Sequence, residues 1–212
     1  MKAEIERERV TSALQQDIVF GRLKPRERLV EQEIMDRLDT RRHVVRAAFE
    51  ALENKGLVER RANRGAMVRD LTPKEIEELY YMRELLHRAA AESTPLPLAV
   101  EVLEELSHIQ AAHEAAIENG DLQEVFLQNE RFHTVLNHAC GNSVLEEALN
   151  LYNERTNLIR SFAFRSLDGL RRSADQHRQI LKAGSRTDRS GYAEAILRHI
   201  LGARDSYLKE SL

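Results

Sequence analysis

The segment spanning residues 38–68 limits the fold of this chain more than any other part. Apolar residues recur there at helical spacing and are followed by two short apolar runs around a turn. The buried stripe of this helix is predicted to contain Val45, Ala48, Phe49 and Leu52. Arg42 and Arg46 stand four residues apart, so they project together from another face. A basic helix followed by a two-stranded hairpin is typical of a DNA-recognition helix and its wing.

Two further helices are predicted ahead of this segment. Helical spacing of apolar residues indicates a first helix over about residues 5–20 and a second over about residues 30–37. Pro25 lacks a backbone N–H and disfavours helical geometry in the residue before it. Residues 23–29 are therefore predicted to form an extended connector between the two helices.

The third helix and the hairpin complete a small N-terminal domain. Gly56 can adopt the positive φ that commonly ends a helix. Two short strands are predicted at residues 57–60 and 66–69, with turn residues between them. Residues 1–70 are therefore predicted to form a winged helix-turn-helix.

The remainder, residues 71–212, has the pattern of an all-α domain. Thr72-Pro73-Lys74-Glu75 combines a capping residue, a proline at the first helical position and a glutamate three residues after the cap. The predicted helices span about residues 72–92, 98–118, 121–139, 143–164, 167–183 and 189–209. The expected fold class is thus mainly α, with a winged helix-turn-helix followed by an all-α bundle of about six helices.

Composition narrows the setting in which such a chain works. Residues 1–70 contain 16 Lys and Arg against 13 Asp and Glu, whereas residues 71–212 contain 16 against 22. A basic head on an acidic body fits a nucleic-acid module joined to a domain that does not contact phosphates. The single cysteine excludes an internal disulfide framework, and no apolar run reaches the roughly 20 residues that span a bilayer. We therefore expect a cytoplasmic protein that does not enter a membrane.

Several motifs of the N-terminal domain carry a family resemblance when they are taken in order. They are Gly21–Pro25, Glu27–Glu31, Arg42–Leu52, Lys55–Arg60 and Asn63–Val68. Together they resemble the head of GntR-type transcriptional regulators of the FadR group. The resemblance implies a homodimer whose winged helices read a pseudo-palindromic operator in double-stranded DNA.

The same resemblance assigns DNA contacts to particular residues. Arg42 and Arg46 match the arginines of the recognition helix, which can reach guanine O6 and N7 or the flanking phosphates. Arg28 matches a base- or backbone-contacting arginine of the connector. Arg64 and Gly65 match the wing tip, where glycine allows close approach to the backbone and arginine can enter the minor groove.

Three positions of the head depart from the family pattern. Arg26 stands where a turn glycine is usual, which should stiffen the connector. Arg41 and His43 replace small hydroxyl residues that normally meet DNA. We include both in the predicted DNA-binding set and expect an operator that differs from the commonest sites of the group.

The second domain contains a histidine pattern of its own. Asn129 and His133 lie four residues apart on one helical face, so both can reach one point. His177 and His199 fall on two later helices, 22 residues apart, as an antiparallel pair that meets at one level would require. Three neutral imidazoles in a helical bundle suit Zn²⁺, with Ni²⁺ as the alternative.

This pattern resembles the FCD ligand-binding domain of the same group of regulators. In that domain an Asp and three His often hold a metal in the effector cavity. Asn129 stands at the Asp position here, so it binds through its carbonyl oxygen, binds through water, or leaves the metal to the three histidines. We assign no role to His108, His113 and His138.

Arginines are the predicted contacts for the effector. Arg83 matches an arginine that commonly faces the effector on the first helix of the FCD domain. Arg160 and Arg165, on the predicted long helix of residues 143–164 and just beyond it, are further candidates. Because a guanidinium beside a divalent metal selects carboxylates, we expect a small organic acid as effector.

Two other functions remain open at this level. The metal itself could be the signal, which would make the protein a metal-responsive regulator. Alternatively, three histidines with open metal positions could activate water, as in a metallohydrolase. That reaction needs a general base, and Glu130 is predicted to point away from the face shared by Asn129 and His133. We therefore favour a regulator over an enzyme.

Overall fold

The chain forms two compact units. The computed structural model describes residues 2–61, 65–160, 162 and 166–211. The first unit comprises Met1–Thr72 and Glu154–Ser161, and the second comprises Pro73–Asn153 and Phe162–Leu212. Helices dominate both, and a small antiparallel sheet lies in the first. The predicted fold class is confirmed.

The first unit is a three-helix domain with a small sheet. Its elements from residue 2 to residue 68 are α1 (Lys2–Val19), β1 (Arg28–Leu29), α2 (Glu31–Leu38), α3 (Arg42–Asn54), β2 (Val58–Arg61) and β3 (Gly65–Val68). The strand order is β1-β3-β2, and both pairings are antiparallel. Arg28 faces Met67 across one ladder, and Val58 faces Val68 across the other.

The predicted two-stranded wing thus lacked one strand, β1. Two residues are too few to produce a periodic sequence signal. Hydrogen bonds to β3 hold this part of the connector in place: the N–H of Arg26 donates to the carbonyl of Val68, and the N–H of Val68 donates to the carbonyl of Glu27. The connector belongs to the sheet because of these tertiary contacts.

Arg26 adopts a backbone conformation that glycine would adopt more easily. Its φ is 67°, in the left-handed region, which costs a side-chain-bearing residue about 1–2 kcal/mol. The Nε atom of Arg26 donates to the carboxylate of Asp70 at 2.6 Å. The departure from the usual glycine therefore leaves the turn intact and adds an ion pair across it.

One apolar core holds α1, α2, α3 and the sheet together. Its buried members come from every helix and strand, as the helical and alternating patterns require. They include Val10, Leu14, Leu29, Ile34, Val45, Phe49, Leu52, Val58 and Val68. The faces that remain outside this core carry the charged residues of the unit.

The second unit is a bundle of six helices in the described residues. They are α4 (Pro73–Ser93), α5 (Val100–Asn119), α6 (Leu122–His138), α7 (Ser143–Arg155), α9 (Leu167–Gly184) and α10 (Arg189–Ser211). Helix α5 packs on α6 and α9, and α10 packs on α4 and α9. No described helix is both long and apolar enough to cross a membrane.

The predicted single helix over residues 143–164 was wrong. Helix α7 ends at Arg155, and a separate turn, α8 (Asn157–Arg160), follows. The carbonyl of the buried Thr156 accepts hydrogen bonds from the N–H groups of both Ile159 and Arg160. Leu158 packs against the apolar core of the first unit, which accounts for the break in the helix. The physical cause is burial of a short apolar segment in a different core.

Candidate functional sites

The exposed face of α3 carries the two arginines predicted to read DNA. The side chains of Arg42 and Arg46 are 58% and 62% exposed. Both lie against one carboxylate, that of Glu31 at the start of α2. The Nε atom of Arg46 donates to Glu31 at 2.8 Å, and the Nε atom of Arg42 lies 3.5 Å from its other oxygen. The hydrogen bond to Glu31 raises the pKa of Arg46.

This shared carboxylate holds the arginines together on the surface. Exposed ion pairs of this kind contribute little to stability, so they can rearrange at small cost. Phosphate oxygens, or O6 and N7 of guanine, can accept two parallel hydrogen bonds from one guanidinium, whereas each arginine meets Glu31 here through its Nε atom. The face can therefore exchange Glu31 for DNA.

Other predicted DNA contacts are also exposed. Arg41 is the N-cap residue of α3, its side chain caps no backbone N–H, and His43 follows in the first turn. Arg28 is exposed on β1. Gly65 begins β3 with φ of 78°, which favours glycine. Arg64, the remaining predicted contact, lies outside the described residues.

Three histidines of the second unit converge as the sequence predicted. His133 comes from α6, His177 from α9 and His199 from α10. Each offers a ring nitrogen, and these three atoms lie within 4.8 Å of one another. The Nε2 atoms of His133 and His199 are 3.2 Å apart. His133 and His177 are buried, and His199 is half-buried.

Two glutamine amides orient this cluster. The Nδ1 atom of His177 lies 3.0 Å from Oε1 of Gln110, and the Nδ1 atom of His199 lies 3.1 Å from Oε1 of Gln176. Because an amide oxygen only accepts, each Nδ1 is the donor and each Nε2 presents a lone pair. Metal-ligating histidines typically use their second nitrogen in this way.

An aromatic wall lies beside the cluster. The ring of Phe132 stacks on that of His177, with centroids 4.0 Å apart and planes 11° apart. The ring of His177 is fully buried, and Phe132 is fully buried as well. Low polarity on this side disfavours a protonated, charged imidazole. The neutral form of an imidazole is the one that binds metal.

The donor set fits a resident divalent metal ion. Three converging imidazoles, each of which binds metal in its neutral form, are ligands that Zn²⁺ accepts with one or more positions open. Without a cation, two Nε2 atoms at 3.2 Å repel unless a proton lies between them. Asn129 is buried one turn before His133, and its amide nitrogen is 3.5 Å from the carboxylate of Glu130.

A fourth histidine, His113, lies next to the cluster. Its ring centroid is 5.3 Å from that of His177, and it is 1% exposed. Burial lowers the pKa of His113 to about 4, against a smaller opposing effect of the Glu114 carboxylate. The ring is therefore neutral at ordinary pH. Sequence reasoning gave His113 no role, and its position beside His177 is a tertiary fact.

Arg83, the predicted effector contact, is almost fully buried on α4. Its Nη2 atom donates to the side-chain oxygen of Asn153 at 2.8 Å, and its guanidinium lies 5.1 Å from the centroid of the Tyr80 ring. Arg160 is placed differently. It is buried on α8, which belongs to the first unit, and it donates to the side chain of Asn157 at 3.0 Å. Arg165 lies outside the described residues.

Sequence reasoning missed Gln110, Gln176 and Glu31 as parts of these sites. Gln110 lies 67 residues before His177, and no local spacing links the two. Gln176 adjoins His177 yet serves His199 on another helix. Only Glu31 gave a usable signal, because it begins the helix that precedes two exposed arginines.

Comparisons with known proteins agree with this architecture. The family described as "Bacterial regulatory proteins, gntR family" matches residues 6–68, and the FCD domain matches residues 78–202. The uncharacterized HTH-type transcriptional regulator YdhC of Bacillus subtilis is 26% identical over 187 residues, which are 88% of this chain and 84% of the relative. The HTH-type transcriptional repressor RspR of Escherichia coli is 22% identical over 88% of this chain and 82% of its own length.

A solved structure supports the fold. The crystal structure of a GntR transcriptional regulator from Rhodococcus sp. RHA1 superposes with a TM-score of 0.77 at 22% identity, covering 96% of this chain and 97% of that chain. At this identity the likeness concerns the fold alone. The two matched domains together span most of the sequence, in the order that the structure shows. The chain is a member of the GntR family of bacterial transcriptional regulators, with a helix-turn-helix head followed by an FCD domain.

Proposed function

We propose that this protein is a repressor whose operator affinity is controlled by a small carboxylate at a metal-containing site in the second unit. It acts in the cytoplasm as a homodimer on a pseudo-palindromic duplex operator. The observation that carries the effector part is the convergence of His133, His177 and His199 with their ring nitrogens within 4.8 Å. The relative RspR, named a repressor, supports the direction of regulation.

The DNA side of the proposal rests on the exposed face of α3. Arg42 and Arg46 lie four residues apart on one face of α3, a spacing from which both can enter one groove, and both contact Glu31. Further exposed polar or cationic groups come from Arg41 and His43, next to Arg42 in the sequence, and from Arg28 on β1. Phosphate contacts by such groups supply affinity, and base contacts by one or two of them supply specificity.

The metal side of the proposal rests on charge. Three imidazoles are neutral, so Zn²⁺ held by them keeps its full positive charge, and Ni²⁺ would behave alike. Asn129, at the position of a family carboxylate, adds no negative charge. Such a centre favours an anionic ligand in its open positions.

We propose that Arg83 binds the end of the anion that does not bind the metal. A guanidinium pairs with a carboxylate through two parallel hydrogen bonds, and the pair is strongest away from water. Arg83 is 2% exposed. One of its terminal nitrogens donates to the neutral amide of Asn153, and its flat face lies over the aromatic ring of Tyr80.

Control of DNA binding requires differential affinity. A carboxylate changes operator binding only if it binds two arrangements of the head with unequal strength, and a ligand that binds both equally shifts nothing. The proposal therefore concerns a coupling free energy between two sites, typically about 1–3 kcal/mol.

Elemental analysis of the purified protein, followed by DNA titrations, tests the proposal. The operator is first selected by the protein from random duplexes, and its binding is then measured with a panel of metal-coordinating carboxylates. We expect one metal ion per chain and about 5–150-fold weaker operator binding with the matching acid. The variant His177→Ala should bind operator without responding to any acid. Metal-loaded protein whose operator affinity no acid changes contradicts the effector proposal.

The 3.2 Å approach of two Nε2 atoms favours one second candidate, in which the metal itself is the signal. Metal loading must alter that close pair, so a change could start there. A metal titration separates the two candidates. Operator affinity that follows metal occupancy, with no acid present, identifies a metal-responsive regulator.

A further inference from the structure

We infer that Gln110 is the positioning residue of the metal centre: it holds the proton of His177 on Nδ1 and so directs the Nε2 lone pair to the cluster. This inference rests on the proposed metal centre for its consequence, metal affinity. The positioning itself is a property of the metal-free protein. Gln110 lies on α5, which carries none of the three candidate ligands.

The orientation of the Gln110 amide is fixed by its own donors. Its nitrogen Nε2 donates to the carboxylate of Glu114 at 2.6 Å and to the carbonyl of Ala174 at 3.1 Å. Both partners are acceptors only, so the NH₂ group must face them. A flipped amide would place its oxygen against two other oxygens. The oxygen Oε1 is therefore the atom that faces His177.

The proton of His177 follows from that orientation. Its Nδ1 atom lies 3.0 Å from an oxygen that can only accept, so Nδ1 carries the hydrogen. A neutral imidazole has one such hydrogen, which leaves a lone pair on Nε2. Gln110 is 4% exposed and His177 is 0% exposed, so water does not compete for this bond. The tautomer is set before any metal arrives.

Three charged side chains near the surface reinforce the orientation of the Gln110 amide. Arg178 donates hydrogen bonds to Glu114 and to Asp175. The bond from Arg178 holds the Glu114 carboxylate within reach of Gln110. Hydrogen bonds in such a chain polarise one another and strengthen the last bond, the one to His177. The side chain of Glu114 is 35% exposed, so this end can be altered with little risk to folding.

The chain offers a matched control in Gln128. This glutamine is 5% exposed on α6, and its Nε2 atom donates to the carboxylate of Glu124 at 2.6 Å, also four residues away. Among the described residues, its Oε1 atom has no hydrogen-bond donor. Gln128 thus shares burial and the glutamate bond with Gln110 but does not orient His177.

The experiment compares Gln110→Leu with Gln128→Leu in full-length protein. Ring nitrogen shifts in ¹⁵N NMR spectra of metal-free protein report which nitrogen of His177 is protonated. A competition titration with Zn²⁺ then reports metal affinity. We expect Nδ1–H in the parent protein, loss of that fixed form in Gln110→Leu, and an affinity about 10–100-fold lower. Gln128→Leu should leave both readouts unchanged.

The outcomes distinguish the positioning from the function. If the parent His177 is protonated on Nε2, or if Gln110→Leu keeps both the tautomer and the Zn²⁺ affinity, the inference is overturned. If the parent protein binds no Zn²⁺ while the tautomer still depends on Gln110, the positioning stands and the metal function fails. If Gln110→Leu does not fold, the spectrum of the parent protein and the variant Glu114→Gln decide. We expect Glu114→Gln to bind Zn²⁺ several-fold more weakly than the parent. An unchanged Zn²⁺ affinity in this variant counts against the inference.

Discussion

The two units place their functional side chains in opposite surroundings. In the first, Arg42 and Arg46 are charged and more than half exposed, and one surface carboxylate holds both. In the second, His133 and His177 are buried, and the half-buried His199 completes the cluster. The first arrangement suits a partner that arrives from solvent with charge, and the second suits a ligand enclosed by the fold.

This difference determines whether a substitution can change ligand or DNA binding without also changing the stability of the fold. Surface ion pairs contribute little to stability, so the arginines of the head can be replaced without unfolding it. Buried polar groups cost about 1–3 kcal/mol when a partner is removed. Substitutions around the histidines should therefore change ligand binding and folding together.

Removing a histidine of the cluster should have the largest effect. His177→Ala takes away a ligand, so the affinity for Zn²⁺ should fall by more than about 100-fold, the upper end of the loss for an outer partner. Zn²⁺ at 100 times its Kd should stabilise the parent protein by about 2.7 kcal/mol and the variant hardly at all. Thermal unfolding with and without Zn²⁺ measures this. As a control, His138→Ala removes an exposed histidine paired with Glu146, and its Zn²⁺ response should equal that of the parent.

Removing a recognition arginine should have the next largest effect. Arg42→Ala should weaken operator binding by about 1–3 kcal/mol relative to random duplex, with an unchanged Tm. Fluorescence anisotropy on both duplexes measures the difference. Arg88→Ala is the matched control, because Arg88 is 57% exposed and paired with a glutamate on α4. Equal losses on operator and random DNA for Arg42→Ala would mean that Arg42 contacts phosphate without reading bases.

Gly65→Ala tests whether the wing depends on its backbone conformation. The left-handed φ of 78° should cost alanine about 1–2 kcal/mol, while the added Cβ would meet nothing closer than 3.9 Å. Gly21, with φ of 72° and nothing within 4 Å, gives the same strain away from the wing. Both variants should lose similar stability in urea, and only Gly65→Ala should also weaken DNA binding. Equal DNA affinity in the two variants would indicate that Gly65, at the start of β3, does not contribute to DNA binding.

The smallest effect is expected for Glu31→Gln. Losing this carboxylate frees Arg42 and Arg46 and removes a charge that repels phosphate, so affinity for random duplex should rise several-fold. The ratio of operator to random affinity should fall, since the arginines are no longer held in one arrangement. Glu33→Gln makes the same charge change on an exposed position of α2. An identical response in both variants would indicate bulk charge alone.

Most elements of the fold could be predicted because their signals are local. Apolar spacing located the first two helices to within a few residues, and Gly56 adopts a positive φ where the third helix ends. Strand β1 and the break at Thr156 could not be predicted. A two-residue strand has no period, and α8 exists because Leu158 packs in the core of the first unit.

The sequence alone determined which side chains form the histidine cluster, because helical spacing and the resemblance to the FCD domain single out His133, His177 and His199. It determined equally that the recognition helix is basic. Only the tertiary structure decided how these groups are held: Glu31 against two arginines, Gln110 and Gln176 against two imidazoles. The physical reason is range. Periodicity is a property of residues within one helix. The amide of Gln110, by contrast, reaches His177 from a neighbouring helix, and the two residues are 67 positions apart in the sequence.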